Sequence, residues 1–128
     1  MRLRAGVEYH IVSLNVDSGT FTVLSDAFRV EDDAPAWSPD GQWIAFRRKV
    51  AGTAMGKQLW VMRADGSDAR ALTTEIDAHY GPPVWAADGE TLLSARHVAG
   101  ASDIWAISTV SPMATRITPE GYLPHSQE

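Results

Sequence analysis

The chain repeats itself 48 residues on. Pro35 and Trp37 return as Pro83 and Trp85, Asp40-Gly41 as Asp88-Gly89, and Val50-Ala51-Gly52 as Val98-Ala99-Gly100. Upstream, Asp17 and Leu24 return as Asp65 and Leu72 at the same spacing. The register runs ungapped from about Ile11 to Gly52 against Leu59 to Gly100. Such a repeat restricts the fold because a unit of this size cannot bury its apolar face alone and must stack on its neighbours. A period in the forties built from short strands predicts β-propeller blades, and so an all-β chain, rather than helical repeats.

Each unit reads as four short antiparallel strands. In the first full unit, about residues 34–73, Ala34–Trp37 leads into the turn Ser38-Pro39-Asp40-Gly41. Proline presets φ there, aspartate engages nearby amides, and glycine takes positive φ. Gln42–Arg48 is the second strand and Gln58–Arg63 the third, both rich in residues that suit a pleated, half-buried surface. Asp65-Gly66 turns into the fourth strand, Arg70–Thr73. The second full unit, about residues 82–118, follows the same path: Pro83–Ala86, the turn Ala87-Asp88-Gly89, Thr91–Arg96, Asp103–Ser108 and Ala114–Thr118. Its middle loop is three residues shorter, because Leu59-Trp60 returns as Ile104-Trp105 at a spacing of 45. Before both lies a half unit, about residues 7–25, whose segments Tyr9–Val16 and Thr20–Ser25 match the third and fourth strands only. With a tail over residues 119–128, the expectation is one domain of about two and a half blades.

Composition narrows the function. A chain of 128 residues, 45% hydrophobic, is long enough to bury a core. Sixteen acidic against eleven basic residues give a formal charge of −5, which opposes a phosphate-tracking surface, so no nucleic-acid partner is expected. Arg47-Arg48-Lys49 is read as a solvated strand end. The absence of cysteine excludes disulfides and thiolate metal sites. No apolar run reaches the roughly 20 residues of a helical membrane span, so no membrane insertion is expected. MRLRAGVEYH lacks the apolar stretch of a signal peptide. The compartment stays open: cytoplasmic as the chain stands, periplasmic if it is a piece of a longer exported protein.

The residues AWSPDGQWIAFRR followed by QLWVMRADGSDARALT resemble the WD-repeat-like blade of TolB-type β-propellers. That pattern has an aromatic before Ser-Pro-Asp-Gly, an Ile/Leu-Ala-Phe strand, an Ile/Leu-Trp/Tyr-Val strand, Asp-Gly, and a terminal Leu-Thr. Trp37, Asp40, Gly41, Trp60, Asp65 and Gly66 fit it in one unit; Trp85, Asp88, Gly89 and Trp105 fit it in the next, where Ala86-Ala87 departs from Ser-Pro. The resemblance implies a propeller fold and structural roles for these residues. Asp40 and Asp88 are read as turn-forming carboxylates, Trp60 and Trp105 as blade-to-blade packing, and Arg48 and Arg96 as members of an inter-blade hydrogen-bond network.

Binding is expected in the links between blades, which cross one face of a propeller near its channel. Those links are read as Asp26–Ala34, Thr74–Pro82 and the tail. They carry Glu31, Asp32 and Asp33, read as a solvated acidic loop, with His79 and Tyr80 one blade on and His125 in the tail. The three carboxylates lack calcium-loop spacing, and the histidines lack further ligands at zinc spacing, so neither metal nor cofactor is expected. No nucleophile elbow, His-Glu-x-x-His, phosphate loop or dinucleotide fingerprint occurs, and Asp40-Gly41 are adjacent where a sialidase Asp box needs an intervening residue.

The favoured function is a non-enzymatic binding and scaffold module for protein–protein interaction. Propellers close with about four to eight blades, so ring completion by two or three copies is expected, with the half unit pairing with a neighbour's strands in place of its missing first and second strands. A protein or peptide ligand fits the link face. The alternative is a fragment of the propeller that gates a serine peptidase of the prolyl-oligopeptidase type, or more generally an excerpt of a longer propeller.

Overall fold

Short strands ended by Gly- and Asp-containing turns build the whole of the described structure. The computed structural model describes residues 2–5, 8–25, 27, 29–53, 55–111 and 114–117, and it contains no helix among them. The N-terminal unit has β1 (Arg2–Ala5), β2 (Glu8–Leu14) and β3 (Phe21–Val23). The first full blade has β4 (Val30–Trp37), β5 (Trp43–Val50), β6 (Gln58–Arg63) and β7 (Arg70–Ala71). The second has its first strand in two pieces, β8 (His79–Tyr80) and β9 (Val84–Trp85), followed by β10 (Thr91–Val98), β11 (Ala101–Ser108) and β12 (Ala114–Arg116). Pairing within each unit is antiparallel. One parallel bridge, Tyr9 with Glu31, joins the N-terminal unit to the first full blade.

The repeat seen in the letters is also a repeat of bonds. Val12 faces Val23 and Ser13 faces Thr22, as Trp60 faces Ala71 and Val61 faces Arg70. Each outer strand closes on its neighbour in the same way. The amides of Leu24, Leu72 and Ile117 donate to the carbonyls of Ile11, Leu59 and Ile104 at 2.8, 2.8 and 2.7 Å. Ser25 Oγ and Thr73 Oγ1 then accept from the amides of Ile11 and Leu59.

Two expectations are corrected. The N-terminal unit is fuller than third and fourth strands, because β1 pairs with β2 over Arg2 to Ala5. His10 faces Leu3 as Gln58 faces Arg48, so β1 holds the second-strand position. The first strands also start earlier than expected. Val30–Asp33 already pairs with Arg47–Val50, and a bulge at Ala34-Pro35 separates this stretch from Ala36-Trp37. In the second blade the bulge becomes a break at Gly81-Pro82-Pro83, where two prolines remove ladder donors.

The turns follow their chemistry. Asp40 Oδ1 accepts from Ser38 Oγ at 2.6 Å and from the Gln42 amide at 3.0 Å. Asp88 accepts from the amides of Glu90 and Thr91, and Asp65 from Ser67. The shorter middle loop of the second blade is a two-residue hairpin, Ala99-Gly100, with both residues at positive φ. Gly66 has a further reason to be glycine: a Cβ there would lie 2.5 Å from the Leu24 carbonyl oxygen.

The core lies between units. Ile11 of the N-terminal unit packs with Ile44, Phe46 and Met62 of the first blade, with Trp60 against them. Leu59 of the first blade packs with Ala78, Tyr80 and Ile107 of the second, with Trp105 against them. Polar bonds cross the same boundary. Trp85 Nε1 donates to the Ala36 carbonyl at 2.9 Å, the Tyr80 amide to Lys57 at 2.9 Å, and Arg70 to Thr109. Trp37, the counterpart of Trp85, is 55% exposed; among the described residues no first strand precedes it.

Candidate binding face

The start of each first strand, the end of each second strand and the links between blades lie at one end of the blades, where a binding face was expected. Strand pleating sends successive side chains to opposite sides. Asp32 is fully buried, and its carboxylate takes a fork of two bonds from Arg48: Nε to Oδ1 at 2.8 Å and Nη2 to Oδ2 at 2.9 Å. The Arg48 guanidinium lies 4.4 Å over the Trp60 ring. One blade on, the same positions hold Tyr80, Arg96 and Trp105. Arg96 sits 4.9 Å over Trp105 and forks instead onto Glu75 of the link, at 3.1 and 2.7 Å. Tyr80 donates its hydroxyl to the same Glu75 carboxylate. Thus a carboxylate, an arginine and an indole recur, but the carboxylate comes from the strand in one blade and from the link in the next.

Asp33 points the other way. Arg47 donates to it through Nε at 2.8 Å and Nη2 at 3.1 Å, and Lys57 Nζ lies 2.5 Å from Oδ2. Burial raises the Asp33 pKa, but the bonds from Arg47 and Lys57 outweigh it and hold the carboxyl below its usual value. Arg47 also reaches the Tyr80 carbonyl at 3.3 Å, tying the two blades together. His79 is exposed beside this cluster; its Nδ1 accepts from the Lys57 amide at 3.3 Å, and its ring centre is 6.1 Å from that of His97. Partial shielding from water, then Arg47, His97 and Lys57, push the His79 pKa below the ordinary histidine value. His97 Nδ1 is bonded to Ser102 Oγ at 2.6 Å.

The expected binding residues therefore separate. Glu31, Asp32, Asp33, His79 and Tyr80 lie in first strands and not in loops. The reading of Glu31, Asp32 and Asp33 as a solvated acidic loop is corrected: arginines opposite Asp32 and Asp33 draw both carboxylates inside, and Glu31 is half-buried. Tyr80 is a core residue at 1% exposure. His79 alone of the five is exposed, and His125 lies outside the described residues. Arg48 does belong to a structural network, but its carboxylate partner is in the same blade and not across a boundary. Arg47 reads differently from a solvated strand end, since it is half-buried between Asp33 and Tyr80. His97 and Lys57 were missed because neither recurs; the pairing of Arg96-His97 with His79-Tyr80 brings them in. Among the described residues no group of three or more His, Asp or Glu side chains is arranged to hold a metal.

No family model matches the chain. It is 44% identical over 61 residues to the uncharacterized peptidase YuxL of Bacillus subtilis, a match covering 46% of this chain and 8% of that one. It is 37% identical over 73 residues to the uncharacterized protein Atu1656 of Agrobacterium fabrum, covering 57% and 22%. The Tol-Pal system protein TolB of Rhizorhabdus wittichii is 27% identical over 82 residues, covering 64% and 18%. The chain thus spans less than a quarter of the length of each relative. Among solved structures, a TolB from Agrobacterium tumefaciens superposes with a TM-score of 0.75 at 22% identity, over 90% of this chain and 43% of that one. A puromycin-hydrolyzing peptidase of Mycobacterium tuberculosis gives 0.72 at 19% identity, over 90% and 19%.

Stacked four-stranded units with cores between them define the class: this is a segment of a β-propeller. Its blades resemble those of TolB-type propellers in sequence and in superposed fold.

Proposed function

We propose that the chain is a non-enzymatic binding and scaffold segment whose ring is completed by further copies of itself and whose link end meets a protein or peptide partner. The observation that carries this reading is the way the repeat spends its polar groups. Asp32, Asp33, Asp40, Asp65, Asp88, Arg48 and Arg96 hold strands, turns and links together, while the apolar clusters lie between units, so the blade is made for side-by-side stacking. What faces outward at the link end includes His79 and His97, the link residues Thr74, Ile76 and Asp77, and part of Glu31. Light scattering on a size-exclusion peak tests the assembly. A sharp peak at a multiple of the 13.9 kDa chain mass supports it, and a monomer overturns it.

A second reading is favoured by the matches to YuxL and to the puromycin-hydrolyzing peptidase. Here the blades are part of a propeller that gates a serine peptidase, and the catalytic groups belong to another domain. A parent reading frame that carries a Gly-x-Ser-x-Gly elbow downstream of these blades decides for it.

A further inference from the structure

Adjacent units do not meet in the same way near their turns, and the difference opens a crevice. Between the N-terminal unit and the first blade, a cavity of about 140 Å³ is bordered by Leu24 on one side and by Gly66 and Ala69 on the other. One blade on, Leu72, Ser111 and Ala114 hold the same repeat positions around a cavity of about 310 Å³. Gly66 comes so close to the Leu24 carbonyl that a Cβ would lie 2.5 Å from its oxygen. Ser111 carries a Cβ, so the second turn cannot rest on its neighbour's outer strand as the first does. The larger volume reaches the lower end of the range of small-ligand sites, about 300–1,000 Å³.

Two polar groups in this crevice are incompletely used. Arg70, in the repeat position of Thr22, donates across the boundary to the Thr109 carbonyl, and no carboxylate among the described residues pairs with it. Asp40 and Glu90 line a separate cavity that also borders Arg70, but neither forms an ion pair with it. Ser108 Oγ accepts from the amides of Val110 and Ser111 at 3.2 and 3.1 Å, and from Ser111 Oγ at 3.4 Å. With its lone pairs taken, that hydroxyl is left to donate, and the bonds feeding its oxygen strengthen it in that role. The first blade carries Asp65 where the second carries Val110, so the acid that could have met Arg70 is replaced by an apolar wall.

We propose that this crevice takes the free carboxyl end of a peptide whose last residue is small and apolar. The carboxylate lies between Arg70 and Ser108, where its bonds are charge-assisted, and the side chain packs against Leu72, Val110 and Ala114. A bare phosphate would satisfy the arginine but make no use of those walls. Val110, 68% exposed, marks the open mouth through which the rest of the peptide runs out to solvent. The site lies where third strands end and fourth strands begin, away from the link end, and it does not depend on assembly of copies.

Titration of the full chain with acetyl-Gly-Gly-Leu, followed by amide NMR, tests the site. The expected result is saturable shifts at the amides of Val110 and Ser111, with affinity about tenfold weaker for the same peptide amidated at its C-terminus. Arg70→Gln should weaken binding about tenfold as well. Because Arg70 also holds Thr109, Val110→Asp is the second variant. It sets the acid of the first blade beside an intact Arg70 and should block the peptide while the thermal midpoint is kept. Acetate and inorganic phosphate should each bind about tenfold more weakly than the peptide, and equal affinity would mean that the apolar walls take no part, which overturns the proposal. Equal binding of acid and amide, unchanged binding by Val110→Asp, or no saturable shift at these two amides in the parent chain overturns it too.

Discussion

At the scale of single residues, the pair Asp32–Arg48 shows why burial must be read with partners. A carboxylate at zero exposure is tolerable because Arg48 meets both of its oxygens and Trp60 covers the guanidinium. Removing one member leaves the other charge buried and unpaired, a loss of about 3–5 kcal/mol. Asp32→Ala should therefore lower the urea midpoint strongly, and replacing Asp32 and Arg48 together by apolar residues should recover much of the loss. Gly66 makes a second test. Alanine at Gly66 meets both a positive φ and the Leu24 carbonyl, whereas alanine at Gly41 meets only the positive φ, with open space around its Cβ. Gly41→Ala should cost about 1–2 kcal/mol, and Gly66→Ala measurably more; the difference reports how closely the N-terminal unit is seated. The turn aspartates were legible in the sequence because their roles are local. Asp32 was not, because its repeat partner is a tyrosine, and the one clue was that Arg48 and Arg96 recurred without a recurring acid.

At the scale of elements, the third strand of the first blade was read most accurately: Gln58–Arg63 has the bounds expected of it. Its apolar side chains fill both inter-unit cores, so its letters are strongly constrained. The first strands were misplaced because their inner halves pair through charged side chains, which resemble a loop until the arginines opposite are known. The link between blades is held by Gln58. Its Nε2 donates to the carbonyls of Glu75 and Ala78, both at 3.0 Å, while its Oε1 accepts from Thr73 Oγ1 and the Glu75 amide. Gln58→Leu keeps the volume but strands these link groups. We expect a loss of about 1–3 kcal/mol, together with faster amide exchange at residues 74–78 than elsewhere in the second blade.

At the scale of the whole molecule, acid should weaken the fold in two steps. His79 has a folded pKa below its ordinary 6.5, so the fold prefers it neutral. Its contribution is complete above 6.5 and is lost as pH falls from there through the folded value. Glu75, held down chiefly by Arg96, and Asp33 have folded values below their ordinary 4.5 and 3.8. Their contributions are present above those values and disappear as pH falls through the lower folded ones. Thermal midpoints from pH 8 to pH 3 should be level at first and then fall twice. His79→Asn should abolish the upper step alone, and Asp33→Asn should reduce the lower. The propeller class was legible from the 48-residue period, since a stacked unit must repeat its contacts. The three-stranded N-terminal unit was not, because four residues of β1 carry too short a pattern to be seen without their pairing.

The closing bonds that Ile11 makes with Leu24 and Ser25, and Leu59 with Leu72 and Thr73, make two positions in the chain interchangeable. A cut after Ser25 rejoined at Thr74 removes one period and meets a junction built like the one it replaces. Length in such a gene is thus counted in blades, and an in-frame duplication or loss of one period changes the number of parts without redesigning a joint. Blade number thus becomes an inherited variable that drifts by recombination while every contact surface stays as it was.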